Sequence, residues 1–215
     1  MKKRILCFGD SLTWGFNPHD CSRYDDDVRW TGVLERLLGD GYKVIEEGQN
    51  GRTIAMDDPV EGEKNGLTYL IPCLDSHMPL DAMVVMLGTN DLKVRFTLTA
   101  EGIAGEMDMF LAKVKAFNDA VYGGSMKVIL ISPPLVAKSM ATSCFNESFG
   151  YEEAHYRSKE LAKLYEALAT KYHIAFVNAA DYVSVSDTDS LHLEADQQEL
   201  LAKAVYECYN KLVMQ

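Results

Sequence analysis

Several classes of protein are excluded by what this 215-residue chain lacks. Its five cysteines, Cys7, Cys21, Cys73, Cys144 and Cys208, are odd in number and widely spaced, and no two form a CxxC pair. Neither a zinc motif nor a redox motif is signalled, and reduced thiols are the expectation. Basic residues are in deficit: 21 Lys and Arg against 32 Asp and Glu leave a net charge of −11. A nucleic-acid binder needs a basic face that displaces counterions, and no Lys/Arg cluster supplies one. The same balance argues against anionic membranes as partners. Long apolar runs are missing as well. The start, Met1-Lys2-Lys3-Arg4, is basic like that of a signal peptide, but the apolar stretch Ile5–Phe8 ends at Gly9-Asp10. That is well short of the roughly 7–15 residues of a signal-peptide core, so a cytoplasmic protein is expected. Neither the G-x-G-x-x-G fingerprint nor the P-loop string occurs, which discounts nucleotide binding. There is no repeat, low-complexity tract or linker, and residues 1–215 read as a single domain of ordinary size.

What is present is a regular alternation. Short apolar runs at Ile5–Phe8, Val44-Ile45, Ala82–Leu87, Lys127–Ile131 and Ile174–Val177 read as strands. Between and after them, helix-patterned segments run over Val28–Leu38, Leu67–Leu74, Ala100–Val121, Glu152–Tyr172 and Glu194–Leu212. Gly123-Gly124 and Pro133-Pro134 supply stop signals. Alternating strands and helices imply βαβ units. Strands that are apolar throughout belong in a parallel sheet buried on both faces. The expected fold class is therefore α/β: a three-layer α/β/α sandwich on a five-stranded parallel sheet, flavodoxin-like in kind. In such sheets the ligand site lies beyond the carboxyl ends of the strands.

Polar clusters follow three of the strands: Gly9-Asp10-Ser11-Leu12-Thr13, Glu46-Glu47-Gly48-Gln49-Asn50-Gly51-Arg52 and Gly88-Thr89-Asn90-Asp91. A fourth, Asp187-Thr188-Asp189-Ser190-Leu191-His192, precedes the last helix. A serine after a strand is ordinarily a turn or cap residue. To act as a nucleophile Ser11 needs a base, an orienter for that base and donors for an oxyanion. The five histidines are His19, His77, His155, His173 and His192. Three of them read as surface or helix-end residues, and His19 is a minor competitor in a polar loop. His192 has Asp189 three residues before it, a span that can fold a carboxylate back onto Nδ1 and leave Nε2 free. Read alone, the same segment serves equally as a helix cap beside a solvated histidine. Asn90 is either a turn residue or an amide donor aimed into a cleft. Gly51 could bring a backbone N–H close to a ligand. The acidic runs Asp25-Asp26-Asp27 and Asp57-Asp58 have no histidine at ligand spacing and read as solvated loops, so no metal is expected in the chemistry. Trp14, Phe16, Tyr24 and Trp30 could line a pocket, with packing as the plainer use of each.

Taken together, these positions resemble the GDSL or SGNH hydrolase superfamily, and the resemblance spans essentially the whole chain. Gly9-Asp10-Ser11-Leu12, Gly51, Gly88-Thr89-Asn90-Asp91 and Asp189-Ser190-Leu191-His192 match the four family blocks in order. Arg4–Gly15, Asp27–Leu34 and Met86–Asp91 are most similar to the small bacterial arylesterase/acyltransferase branch. The resemblance implies an SGNH hydrolase fold and a serine esterase with Ser11, Asp189 and His192 as triad. It implies an oxyanion hole from Ser11, Gly51 and Asn90, and substrate contacts near Asp10, Leu12, Trp14 and Phe16. It further implies hydrolysis of small, short-chain acyl esters, transfer of the acyl group to alcohols in some members, no cofactor, and homo-oligomers up to octamers. Asp10 and Asp91 are expected to fix local turns. Some relatives carry alanine at position 51, and one has tryptophan where this chain has Phe16, which bears on the transferase property. The Asn17–Asp27 loop and the Ala137–Gly150 segment are specific to this chain, and loops of that kind set substrate choice. Carbohydrate O-deacetylase, thioesterase and lysophospholipase remain open within the same triad chemistry. A non-catalytic flavodoxin-like binding module is the alternative outside it.

Overall fold

The computed structural model describes residues 2–214. Five strands, β1 (Lys3–Gly9), β2 (Tyr42–Gly48), β3 (Ala82–Met86), β4 (Lys127–Ser132) and β5 (Ala175–Asn178), pair in parallel in the order β2-β1-β3-β4-β5. This is the flavodoxin-like order, and it places the topological switch point between β1 and β3. The helices are α1 (Ser11–Trp14), α2 (Trp30–Leu38), α3 (Gly66–His77), α4 (Ala100–Tyr122), α5 (Asn146–Phe149), α6 (Glu153–Tyr172) and α7 (Ala195–Val213).

Strand alternation divides the core into two layers. Leu6 and Phe8 of β1, Met83 and Val85 of β3, and Val128 and Leu130 of β4 pack beneath α3, α4 and α6. Ile5 and Cys7, Ala82, Val84 and Met86, and Ile129 and Ile131 pack beneath α2 and α7. Both faces are covered, which is why these strands carry no polar alternation. β2 is the exception. It lies at the sheet edge and ends in Glu46, Glu47 and Gly48, yet it pairs with β1 from Lys3↔Tyr42 to Gly9↔Gly48. The apolar pair Val44-Ile45 marked only its middle, because an edge strand can carry charge on its open side. Glu46 is held there by Arg29, whose Nε lies 2.6 Å from its carboxylate.

Helix limits follow capping chemistry. Asn65 and Thr99 accept N–H groups of Thr68 and Gly102 at the starts of α3 and α4. Gly123, at φ +60°, closes α4 in a left-handed turn. α2 begins two residues later than the apolar pattern suggested, since Val28 and Arg29 bond back to the Asp25 carbonyl in a turn. No helix among the described residues is long and apolar enough to cross a membrane.

Candidate active site

The site opens at the carboxyl edge of the sheet, at the β1/β3 switch point. β1 runs straight into the one-turn helix α1, whose first residue is Ser11. Asp10 caps this turn: its Oδ1 accepts the Leu12 N–H at 2.9 Å. Gly9 has no substitute here, because a Cβ would collide with the Thr13 side chain and the Met86 carbonyl. Trp30 braces the turn from behind, donating its indole N–H to the Leu12 carbonyl at 3.1 Å.

Ser11 Oγ lies 2.8 Å from His192 Nε2, and His192 Nδ1 lies 2.6 Å from Asp189 Oδ2. All three residues are buried, between 3% and 8% exposed, so water competes weakly for these bonds. The other carboxylate oxygen of Asp189 accepts the N–H groups of Leu191 and His192, both at 3.0 Å. The turn between them needs Ser190 in the left-handed region, φ +70°. It is stapled from outside: Ser143 Oγ donates to the Asp189 carbonyl, Ala137 N–H donates to the Ser190 carbonyl, and Ser139 and Ser190 share a hydroxyl bond of 2.8 Å. Burial pushes the Asp189 carboxyl up, but the His192 ring and the two backbone N–H groups outweigh it and hold the group below the usual range. Phe16 stacks on the imidazole at 4.1 Å between centroids, and Phe145 meets it edge-on at 6.0 Å.

Two further segments face Ser11. After β2 the chain turns through Gly51 at φ +80°, and a Cβ there would strike the Glu61 carboxylate. Both facts favour glycine. After β3, Asn90 donates one amide N–H to the Arg52 carbonyl at 3.1 Å, which fixes the amide and leaves its second N–H for a ligand. Among the described residues, the backbone N–H groups of Ser11 and Gly51 donate to no other group. Arg52 ties the loops together from below. Its guanidinium donates to the Gly9 and Glu47 carbonyls and lies 4.3 Å over the Phe8 ring. Asp91, wholly buried, accepts the Ile54 N–H at 2.9 Å, a tie of greater reach than a local turn. Burial, with the Glu106 carboxyl nearby, raises the Asp91 pKa well above its ordinary value.

The cavity over Ser11 is about 210 Å³. Phe16, Phe145, Phe149 and Leu191 form an apolar wall; Asn50, Glu61 and Lys93 form a polar one. Ser11, Gly51, Asn90 and His192 line it too, whereas three of the positions expected to touch substrate do not. Asp10 is turned away to cap α1 and is fully buried. Leu12 points into the α2/α7 core layer. Trp14 packs outside the cavity against Phe16 and the Arg23 guanidinium. Of the aromatic group, only Phe16 lines the site; Trp30 is core. His19 is paired with Glu194 at 2.9 Å rather than with Ser11. Glu61 and Lys93 carried no sequence signal: they lie 32 residues apart and meet only through the fold, at 2.5 Å. Phe145 and Phe149 lie in the segment 137–150, which the sequence did single out.

Burial lifts the Asp10 carboxyl from 3.8 to about 6, against the lowering pull of the Leu12 N–H and of His192. The folded chain holds this proton more tightly than the unfolded chain. The stability it contributes is full below pH 3.8 and is lost as pH rises through 6, about 3 kcal/mol in all. Asp10→Asn keeps an acceptor for Leu12, so it should be the more stable protein at pH 8 by this order in urea unfolding. The gap should close towards pH 4. Equal stabilities at pH 8 would show that the carboxylate ionises there without cost.

A hydroxyl, an imidazole and a carboxylate thus stand in one hydrogen-bonded line at the switch point of a flavodoxin-like sheet, the arrangement that serine hydrolase chemistry requires. The comparisons with known proteins agree. Residues 7–200 match the model of the GDSL-like Lipase/Acylhydrolase family, and the chain belongs to that family. It is a carboxylic ester hydrolase with the fold of the SGNH enzymes. Among solved structures it is similar to Est24, a carbohydrate acetylesterase from Sinorhizobium meliloti, at 39% identity and TM-score 0.89, over 98% of this chain and 100% of that one. It is similar to the M. smegmatis aryl esterase at 38% identity and TM-score 0.89, over 98% and 99%. A carbohydrate acetylesterase family member from S. meliloti matches at 28% identity and TM-score 0.88, over 99% and 100%. No curated protein matches the chain.

Proposed function

We propose that this enzyme hydrolyses short-chain, acetyl-type esters through an acyl-enzyme on Ser11. The Ser11–His192–Asp189 line, with bonds of 2.8 and 2.6 Å, carries the reading. His192 Nε2 takes the Ser11 proton as Oγ attacks the ester carbonyl, and Asp189 stabilises the imidazolium. The oxyanion is held by the N–H groups of Ser11 and Gly51 and the free amide hydrogen of Asn90. His192 then protonates the leaving alcohol. Water, or a second alcohol, enters by the reverse path and receives the acyl group.

The acyl preference follows from size. A cavity of about 210 Å³ falls below the roughly 300–1,000 Å³ of sites that engulf drug-sized ligands. Its apolar wall suits a methyl or ethyl group. The polar wall favours an alcohol that carries hydroxyls: Glu61 offers acceptors and the buried Lys93 donors along it. The two carbohydrate acetylesterases among the similar structures support that second half of the reading.

The test is a series of p-nitrophenyl esters together with covalent labelling. A fluorophosphonate should modify one residue per chain, Ser11, and acetate should be turned over faster than octanoate. Turnover rising with chain length would contradict the short-acyl assignment, and a label on any other residue would remove Ser11 from the chemistry.

A further inference from the structure

Beneath the loop that carries Gly51 lies a second group of reactive side chains that the esterase chemistry does not use. α3 presents Tyr69, Cys73 and His77, each four residues after the last, so they stack along one helix face. That face meets Glu47, near the end of β2. His77 Nε2 lies 2.6 Å from Glu47 Oε1. The nearest ligand atoms of Glu47, Cys73 and His77 all lie within 4.8 Å of one another.

We propose that Glu47, Cys73 and His77 form a binding site for one borderline divalent cation of the zinc type. The donor set is one carboxylate oxygen, one imidazole nitrogen and one thiolate sulfur. Such a mixed set suits zinc and its tetrahedral relatives and disfavours magnesium and calcium, which take oxygen ligands. Metal bonds of about 2.0–2.3 Å to three such donors leave them a little over 3 Å apart. The structure holds one pair at 2.6 Å and all three donors within 4.8 Å of one another, a spread that brackets this separation. Fold geometry makes the constellation: the i, i+4 pair Cys73 and His77 comes from one helix, the third donor from a strand 26 residues earlier in sequence. No Cys-Cys spacing announces it.

The charges balance around the cation. Cys73 is buried, and burial, aided by Glu47, favours its neutral thiol. On binding, the thiol proton leaves to solvent and a sulfur–metal bond forms. His77 gives up its bond to Glu47 and offers the Nε2 lone pair, with its proton on Nδ1. Thiolate and carboxylate then neutralise a 2+ ion. Among the described residues, two guanidinium groups face the site: Arg52, 5.3 Å over the Tyr69 ring and bonded to the Glu47 carbonyl, and Arg4, which donates to the His77 carbonyl at 3.2 Å. The site is outside the cavity over Ser11, so binding is independent of the esterase assignment.

Cobalt(II) is the probe. The full-length protein, stripped with chelator and reduced, is titrated with Co²⁺, and the thiolate-to-cobalt charge-transfer band in the near ultraviolet is followed. One equivalent should saturate the band. Cys73→Ser should abolish it, and Glu47→Gln and His77→Gln should each prevent saturation at one equivalent. A Cys21→Ser, Cys144→Ser double variant, which removes both exposed thiols, should keep the band. Circular dichroism of each variant establishes that it is folded. Absence of the band in the wild-type protein, or its survival in folded Cys73→Ser, would overturn the proposal.

Discussion

Ser11→Ala should lower kcat for p-nitrophenyl acetate by a factor on the order of 10⁶, as removing the nucleophile of a serine hydrolase triad does. The expectation rests on how little else Ser11 does. Its hydroxyl makes one bond, to His192 Nε2, and its backbone role at the start of α1 survives in alanine. The variant should therefore melt close to the wild-type temperature, which separates lost chemistry from lost fold. The burst of p-nitrophenol that marks acyl-enzyme formation should vanish with the slow turnover. What remains is the contribution of the Ser11 and Gly51 amides and Asn90, which can still polarise a carbonyl for direct attack by water. Activity within tenfold of wild type would mean that another group, not Ser11, attacks the ester.

Asp189→Asn should cost about 10⁴-fold in kcat, through the tautomer of His192 rather than through structure. Asp189 has two tasks, one for each oxygen. Oδ1 accepts the N–H groups of Leu191 and His192 and shapes the turn. Oδ2 accepts from His192 Nδ1. Asparagine can retain Oδ1, so the turn persists. Its NH₂ then faces Nδ1 as a donor and forces the imidazole proton onto Nε2, which can no longer accept from Ser11. The discriminating measurement pairs kcat with KM. The cavity walls are untouched, so KM should change little while kcat collapses. A parallel rise in KM would show that Asp189 shapes the binding cavity instead.

The sheet was legible in the sequence because both of its faces are covered: β1, β3 and β4 are buried on either side and stand out as unbroken apolar runs. β2 was half legible, since its pairing comes from the β1 backbone and its outer residues are charged. The one-turn helices at Ser11–Trp14 and Asn146–Phe149 left no periodic signal, being too short for one. Within the site, the residues on short rigid turns, Ser11, Gly51, Asn90, Asp189 and His192, were readable because each follows a strand or precedes a helix in a compact block. The cavity walls were not. Asp10 and Leu12 share the block with Ser11, yet the helical turn rotates them into the cap and the core. Glu61, Lys93 and Phe145 enter from segments whose positions are set by tertiary contacts. α3 runs on past Leu74, where the sequence pattern ended it, to His77, and nothing in the spacing of His77 told that it would meet Glu47.

The stapling of Asp189 and Ser190 by Ala137, Ser139 and Ser143 has a consequence for how this enzyme can change. Phe145 and Phe149, which form part of the apolar wall of the cavity, belong to the same stretch as those three residues. Evolution or engineering that re-cuts this stretch to admit a larger acyl group will also pull on the bonds that aim the imidazole. Substrate range and turnover are mechanically linked here: variants that broaden the first through residues 137–150 should lose some of the second, unless the three staples are held fixed while the two phenylalanines are exchanged.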